Sequence, residues 1–147
     1  MSDAADQGRQ YCTFRLAQHH CGIEVLAVRE ILRHQPLTRV PLAPPVVRGL
    51  LNLRGQIITA IDLRTRLAFP PREAGRHPTV IVVGTGEDDS AALLVDEIGD
   101  VVDIDPAACE PPPDTMRGEL RELIRGVCKR DQGLILLLDV RQTVQVN

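Results

Sequence analysis

Apolar and polar positions alternate along this chain in short bursts separated by turn residues. Residues 12–16 (Cys-Thr-Phe-Arg-Leu) follow the two-residue period of a half-buried strand. After a turn at 17–20, Cys21, Ile23 and Val25 resume the alternation, which predicts a hairpin. Residues 27–33 fit two patterns: a short helix with apolar positions at 28, 31 and 32, or a strand with 28 and 30 on one face. Pro36, Pro41, Pro44 and Pro45 then exclude a long helix and favour an extended, turning connection. Residues 49–53, an Arg54-Gly55 turn and residues 56–61 predict a second hairpin. Asp62 stands before 63–67 as the N-cap of one or two helical turns.

The second half repeats this plan after a polar, proline-bounded stretch at 70–78, the best linker candidate. A buried strand at 79–85, a turn at 86–90 and a partner strand at 91–95 come first. Irregular chain marked by Pro106 and Pro111-Pro112-Pro113 follows, then a short helix within 115–123. A last hairpin is expected from 126–129, a turn through Gly133 and 134–138, with Asp139 capping a C-terminal turn. The repetition extends to residue identity. Residues 49–64 align without a gap on 126–141, placing Gly49 on Gly126, Ile58 on Ile135, Asp62 on Asp139 and Arg64 on Arg141. Upstream of each lies a second echo, Val28-Arg29-Glu30-Ile31 and Val95-Asp96-Glu97-Ile98. Two copies are too few for a solenoid. They predict an all-β protein with a pseudo-symmetric seam, built as two small β-barrels or one β-sandwich. The expected division is a disordered N-terminus at 1–9, a first subdomain at 10–77 and a second at 78–147.

Composition narrows the picture. The 147 residues include only three aromatic side chains, Tyr11, Phe14 and Phe69, so the core must be aliphatic. A net charge of −3 argues against a nucleic-acid binder. No apolar run reaches the ~18–20 residues of a membrane span, and the polar first nine residues carry no signal-peptide core. A cytoplasmic protein is expected, with Cys12, Cys21, Cys109 and Cys128 reduced.

Four features invite chemistry. Asp62 and Asp139 look like a carboxylate pair, but each follows a strand and precedes Leu-Arg or Val-Arg, which is the place of a helix cap. His19-His20-Cys21 suggests a metal, but strand neighbours point to opposite faces and a zinc site needs three or four ligands. Gly55, Gly126 and Gly133 belong to no phosphate-binding pattern and serve tight turns. Cys128 reads as a small core residue, with no His or acid at a nucleophile's spacing. No catalytic residue, cofactor or metal site is expected, although a small β-barrel metal protein is the alternative outside any family.

Several segments in order resemble the CheW-like family, the coupling proteins of bacterial chemosensory arrays, over residues 10–146. They are Phe14-Arg15-Leu16, Val28-Arg29-Glu30-Ile31, Val40-Pro41 with Ala43-Pro44-Pro45, and Gly49-Leu50-Leu51-Asn52-Leu53-Arg54-Gly55 leading to Ile61-Asp62-Leu63-Arg64. In the second half they are Leu93 to Ile98, Asp100-Val101, Gly126-Val127 and Leu137-Leu138-Asp139-Val140. Cys21, Thr59 and Ala92 depart from the family, standing where an aromatic residue, proline and glycine are common. The resemblance implies two pseudo-symmetric, SH3-like, five-stranded β-barrel subdomains with short helices, packed around a hydrophobic cleft. It implies a non-catalytic adaptor that joins the cytoplasmic tip of a chemoreceptor to the regulatory domain of a CheA-type histidine kinase. Flagellar motility, twitching, gliding or a second-messenger output would all suit it. It also implies recruitment to membrane-associated receptor arrays without insertion, and no nucleic-acid partner. The family's receptor-binding positions fall on Val28, Glu30, Gly49, Arg54, Val80, Ile98 and Val101. Glu30 and Arg54 among them are expected to pair through two hydrogen bonds.

Overall fold

The computed structural model describes residues 9–145 except 87 and 132. The expectation for 1–9 therefore lies, apart from Arg9, outside the described residues. The strands are β1 (Gln10–Leu16), β2 (His19–Glu24), β3 (Val28–Leu32), β4 (Val47–Leu53), β5 (Gln56–Asp62), β6 (Thr79–Gly84), β7 (Ser90–Val95), β8 (Glu97–Asp103), β9 (Ile124–Arg130) and β10 (Gly133–Leu138). The helices are α1 (Leu63–Arg66), α2 (Gly118–Leu123) and α3 (Val140–Thr143). The ambiguous stretch at 27–33 is mostly strand. A 3-10 turn at Val25–Ala27 ends the first hairpin, and β3 follows it as an edge strand on β6. His19 and His20 belong to β2, so the hairpin turn is shorter than expected, with Ala17 in it at φ 57°.

The strands form two five-stranded sheets, ordered β8-β1-β2-β10-β9 and β3-β6-β7-β5-β4. Each has apolar side chains buried on both faces. Val80 and Val82 of β6, Ala92 and Leu94 of β7, and Ile58 of β5 fill a cluster belonging to the second sheet alone. Ile81, Val83, Leu93 and Val95 point the other way, into a central cluster shared with Phe14, Leu16, Cys21 and Ile23 of the first sheet. On the first sheet's far side Tyr11, Ile104, Cys128, Ile135 and Leu137 make a third cluster. Strands buried on both faces read as continuous apolar runs, which explains 80–83, 91–95 and 135–138. The result is the expected pair of small barrels, each with its own core, sharing a central apolar layer.

The boundary expected at 77/78 needs correction. Each half of the chain contributes to both sheets: β1 and β2 join the first and β3 to β5 the second, while β6 and β7 join the second and β8 to β10 the first. The chain crosses between sheets after β2 and again after β7. Parallel pairing of β7 with β5, and of β2 with β10, stitches the halves together. The physical reason is burial: a hairpin and a three-stranded piece from the same half would each leave an apolar face in water.

The repeated stretches adopt the same structure. β4, β5 and α1 match β9, β10 and α3. Asp62 caps α1 by accepting the Arg64 N–H at 3.0 Å, and Asp139 caps α3 by accepting that of Gln142 at 3.1 Å. Both edge strands carry an added single-residue bridge, Thr38 on Leu50 and Glu110 on Val127. Beside it, a Cβ on Gly49 would stand 2.6 Å from the Thr38 carbonyl oxygen. Close backbone approach therefore accounts for this glycine.

Two further expectations change. The stretch at 70–78 is pinned to the body: Arg64 donates to the Pro70 and Pro71 carbonyls, and the side chain of Arg72 is buried against Asp96 and Asp62. Nor are all four cysteines reduced. Cys109 and Cys128 form a disulfide, with Cα atoms 4.4 Å apart, because the bridge of Glu110 to Val127 lays the 104–117 segment against β9.

Candidate functional site

Edge strand β3 and the β4–β5 turn bring Glu30 and Arg54 together. Arg54 sits in the turn at φ 51°, and Gly55 follows at φ 84°, so both turn residues adopt the left-handed geometry of a tight hairpin. The turn is closed by the Asn52 side chain, whose oxygen accepts the Gly55 N–H at 3.1 Å. From there the guanidinium reaches across the barrel mouth. Its Nη1 donates to Glu30 Oε2 at 2.8 Å and its Nη2 to Oε1 at 2.5 Å, a bidentate pair. These hydrogen bonds hold the Glu30 carboxyl below its ordinary range and raise the Arg54 guanidinium. Arg54 remains largely exposed, at 73% for its side chain. The charge is thus oriented but open to a partner.

The internal repeat provides a control. The positions matching Glu30 and Arg54 are Glu97 and Asp131, two acids, which cannot pair with each other. The barrel unit therefore folds without such a pair, and the one at Glu30 and Arg54 is particular to its lobe.

The other expected site residues are distributed as follows. Val28 of β3 and Ile98 of β8 both pack on the central cluster, one from each sheet. Val101 stands exposed on β8, the edge of the first sheet. Gly49 and Val80 are buried, Gly49 under the Thr38 carbonyl and Val80 inside the second sheet's own cluster. Neither presents a side chain to solvent. Exposed Ile31 on β3 was not singled out by the sequence reading.

A second polar cluster escaped that reading. Asp96, at the corner between β7 and β8, accepts Arg64 Nη2 at 2.5 Å, Arg72 Nε at 3.0 Å and the Ala17 N–H at 2.7 Å. Burial alone would raise its carboxyl, but hydrogen bonds from Arg64, Ala17 and Arg72 hold it below the usual range. Asp62, buried, faces Arg72 at 3.5 Å and Arg48 at 3.7 Å. The arrangement is a staple of three arginines and two aspartates joining hairpin turn, α1 and the 70–72 segment. It presents no nucleophile beside a base, and no group of three or more His, Cys, Asp or Glu among the described residues could hold a metal. None of their helices is long and apolar enough to cross a membrane.

Comparison with known proteins fits this geometry. Residues 10–146 match the CheW-like domain family. A chemotaxis protein CheW of Rhizobium meliloti is 32% identical over 134 residues, spanning 90% of this chain and 85% of that protein. One from Treponema pallidum is 30% identical over 142 residues, spanning 93% and 82%. The crystal structure of the scaffolding protein TtCheW from Thermoanaerobacter tengcongensis superposes with a TM-score of 0.84 at 29% identity, covering 96% of this chain and 95% of that one.

Proposed function

The chain belongs to the CheW-like domain family, whose members are chemotaxis scaffolds rather than enzymes, and on that premise we propose that it joins a chemoreceptor to a CheA-type histidine kinase. In this reading the receptor's helical cytoplasmic tip docks across β3, the β4–β5 turn and β8. Val28 and Ile98 line the floor, Glu30 and Arg54 supply the oriented charge, and Val101 supplies an apolar contact at the rim. Gly49 and Val80, both buried, act indirectly. The kinase's regulatory domain takes another face of the double barrel. The protein works in the cytoplasm, recruited to receptor arrays. An apolar helix face laid into a groove is a known recognition mode. Coupling requires that the receptor's two states contact this surface differently.

One observation carries the reading: an exposed bidentate Glu30–Arg54 pair in one lobe whose counterpart positions in the sister lobe are both acidic. A double-mutant cycle tests it. Arg54→Ala and Glu30→Ala are each expected to weaken binding of a receptor-tip fragment by on the order of tenfold, with the double variant losing less than the product. Affinity for the kinase regulatory domain should hold. Equal loss toward both partners would signify general damage to the fold, and no loss toward the receptor would remove Glu30 and Arg54 from the site.

A further inference from the structure

The two lobes hold the same loop in different ways. In one, Thr38 and Leu50 exchange backbone hydrogen bonds of 2.9 and 2.7 Å across β4, and Leu37 packs on the cluster containing Leu51. In the other, Glu110 and Val127 exchange bonds of 2.9 and 2.7 Å across β9. There Cys109 and Cys128 take the places of Leu37 and Leu51, and they are joined covalently. The glycines beside the bridges register the same approach: a Cβ on Gly49 would lie 3.2 Å from Leu37 Cβ, and one on Gly126 would lie 3.6 Å from Cys109 Cβ. An apolar contact thus suffices for this loop in the sister lobe. The covalent bond is an addition to the unit.

We propose that Cys109–Cys128 is a reversible redox latch that fixes the 104–117 segment on edge strand β9 when oxidised and loosens it when reduced by a small thiol. Cys109 is half-buried and is the entry point, whereas Cys128 is buried in the third cluster. A thiolate of the reductant attacks Cys109 Sγ. The S–S bond breaks, and its electron pair leaves on Cys128 Sγ, which takes a proton from water. A second reductant thiolate then attacks the mixed disulfide, releasing Cys109 as a thiol and leaving the reductant as its own disulfide. Two electrons pass from two thiols to the cystine, and the reverse exchange with a small disulfide closes the latch. Once open, the segment keeps the two bonds of the Glu110–Val127 bridge, an exposed Lys129–Glu110 pair at 3.6 Å, the bonds from Arg121 to the Pro112 and Pro113 carbonyls at 3.1 and 2.6 Å, and that from the Ile104 N–H to the Arg9 carbonyl at 2.8 Å. Exposed contacts of this kind leave a segment at the low end of local stability. The remaining thiols do not compete: Cys12 and Cys21 are buried in the central cluster, and burial, with help from the Asp96 carboxylate, pushes Cys21 up to about 12.

The test uses the full chain equilibrated in glutathione buffers of increasing disulfide fraction. Thiols counted in denaturant should fall from the four cysteines of the sequence to the two free ones, Cys12 and Cys21. Amide exchange across 104–117 should be at least about tenfold faster in the reduced protein, with exchange across 33–46 unchanged. Cys109→Leu with Cys128→Leu copies the sister lobe and should exchange slowly in both buffers. Cys109→Ser with Cys128→Ser should exchange fast in both. Equal exchange in oxidised and reduced wild-type protein overturns the proposal, as does a thiol pair that stays reduced in glutathione disulfide.

Discussion

Replacing Asp96 by Asn keeps the size of the side chain and removes the carboxylate charge that Arg64 and Arg72 share. Asp96 accepts hydrogen bonds from both guanidinium groups and from the Ala17 N–H. Removing one partner of a fully buried pair costs roughly 3–5 kcal/mol. Two features reduce that here. Asp96 and Arg64 keep 15% and 16% exposure, so solvent screens part of the imbalance. Asp62, 3.5 Å from Arg72, retains some of that partner's neutralisation. The expected loss is about 2–3 kcal/mol, or roughly 5–10 °C in Tm, measured by urea and thermal unfolding. Its pH dependence has a definite sign. The folded Asp96 carboxyl lies below its ordinary value of 3.8. Its contribution is therefore complete above that value and is lost as pH falls through the lower folded one. The gap between wild type and Asp96→Asn should be constant near neutral pH and should shrink below about pH 4. A gap under about 0.5 kcal/mol at pH 7, or one that persists unchanged in acid, would refute the reasoning and make the cluster a solvated one.

Other outcomes follow from the duplicated unit. Gly49→Ala should cost about 2 kcal/mol, because its Cβ would meet the Thr38 carbonyl oxygen at 2.6 Å, whereas Gly126→Ala, with the Glu110 oxygen at 3.3 Å, should cost less than half as much in the same denaturation assay. Asp139→Ala should cost about 0.5–2 kcal/mol as a lost cap. Asp62→Ala should exceed it in calorimetry, since it also leaves the buried Arg72 short of a partner.

Local features were legible in the sequence, and crossings between halves were not. Alternation and turn residues identify every hairpin, because hairpin pairing depends on neighbours in the chain. The repeat predicts matching caps and strands, and Asp62 and Asp139 fill that role. Which hairpin joins which sheet depends on the parallel pairings of β5 with β7 and β2 with β10, made between segments distant in sequence. No periodicity encodes those, so the halves were expected side by side although they are interlocked. The Glu30–Arg54 pair followed from the family resemblance, not from spacing. The Asp96 staple had a signal that went unused: the upstream echo reverses charge at one position, Arg29 against Asp96, while Arg64 and Arg141 agree. An acid appearing on one side alone of a repeated arginine marks a pair that only one lobe makes. The cystine was missed because a cytoplasmic assignment implied thiols, and because Cys109 lies in irregular chain whose register on β9 comes only from the Glu110 bridge.

The central claim is that this scaffold bridges two proteins through separate surfaces. It is tested most directly by sedimenting a CheA-type kinase regulatory domain with assembled receptor tips, in the presence and absence of this chain. The account predicts that the kinase domain pellets only when the chain is added. It also predicts that Arg54→Ala leaves a soluble complex of kinase domain and chain while both stay out of the receptor pellet. Kinase domain pelleting equally without the chain, or Arg54→Ala carrying as much of it down as wild type, would contradict the account.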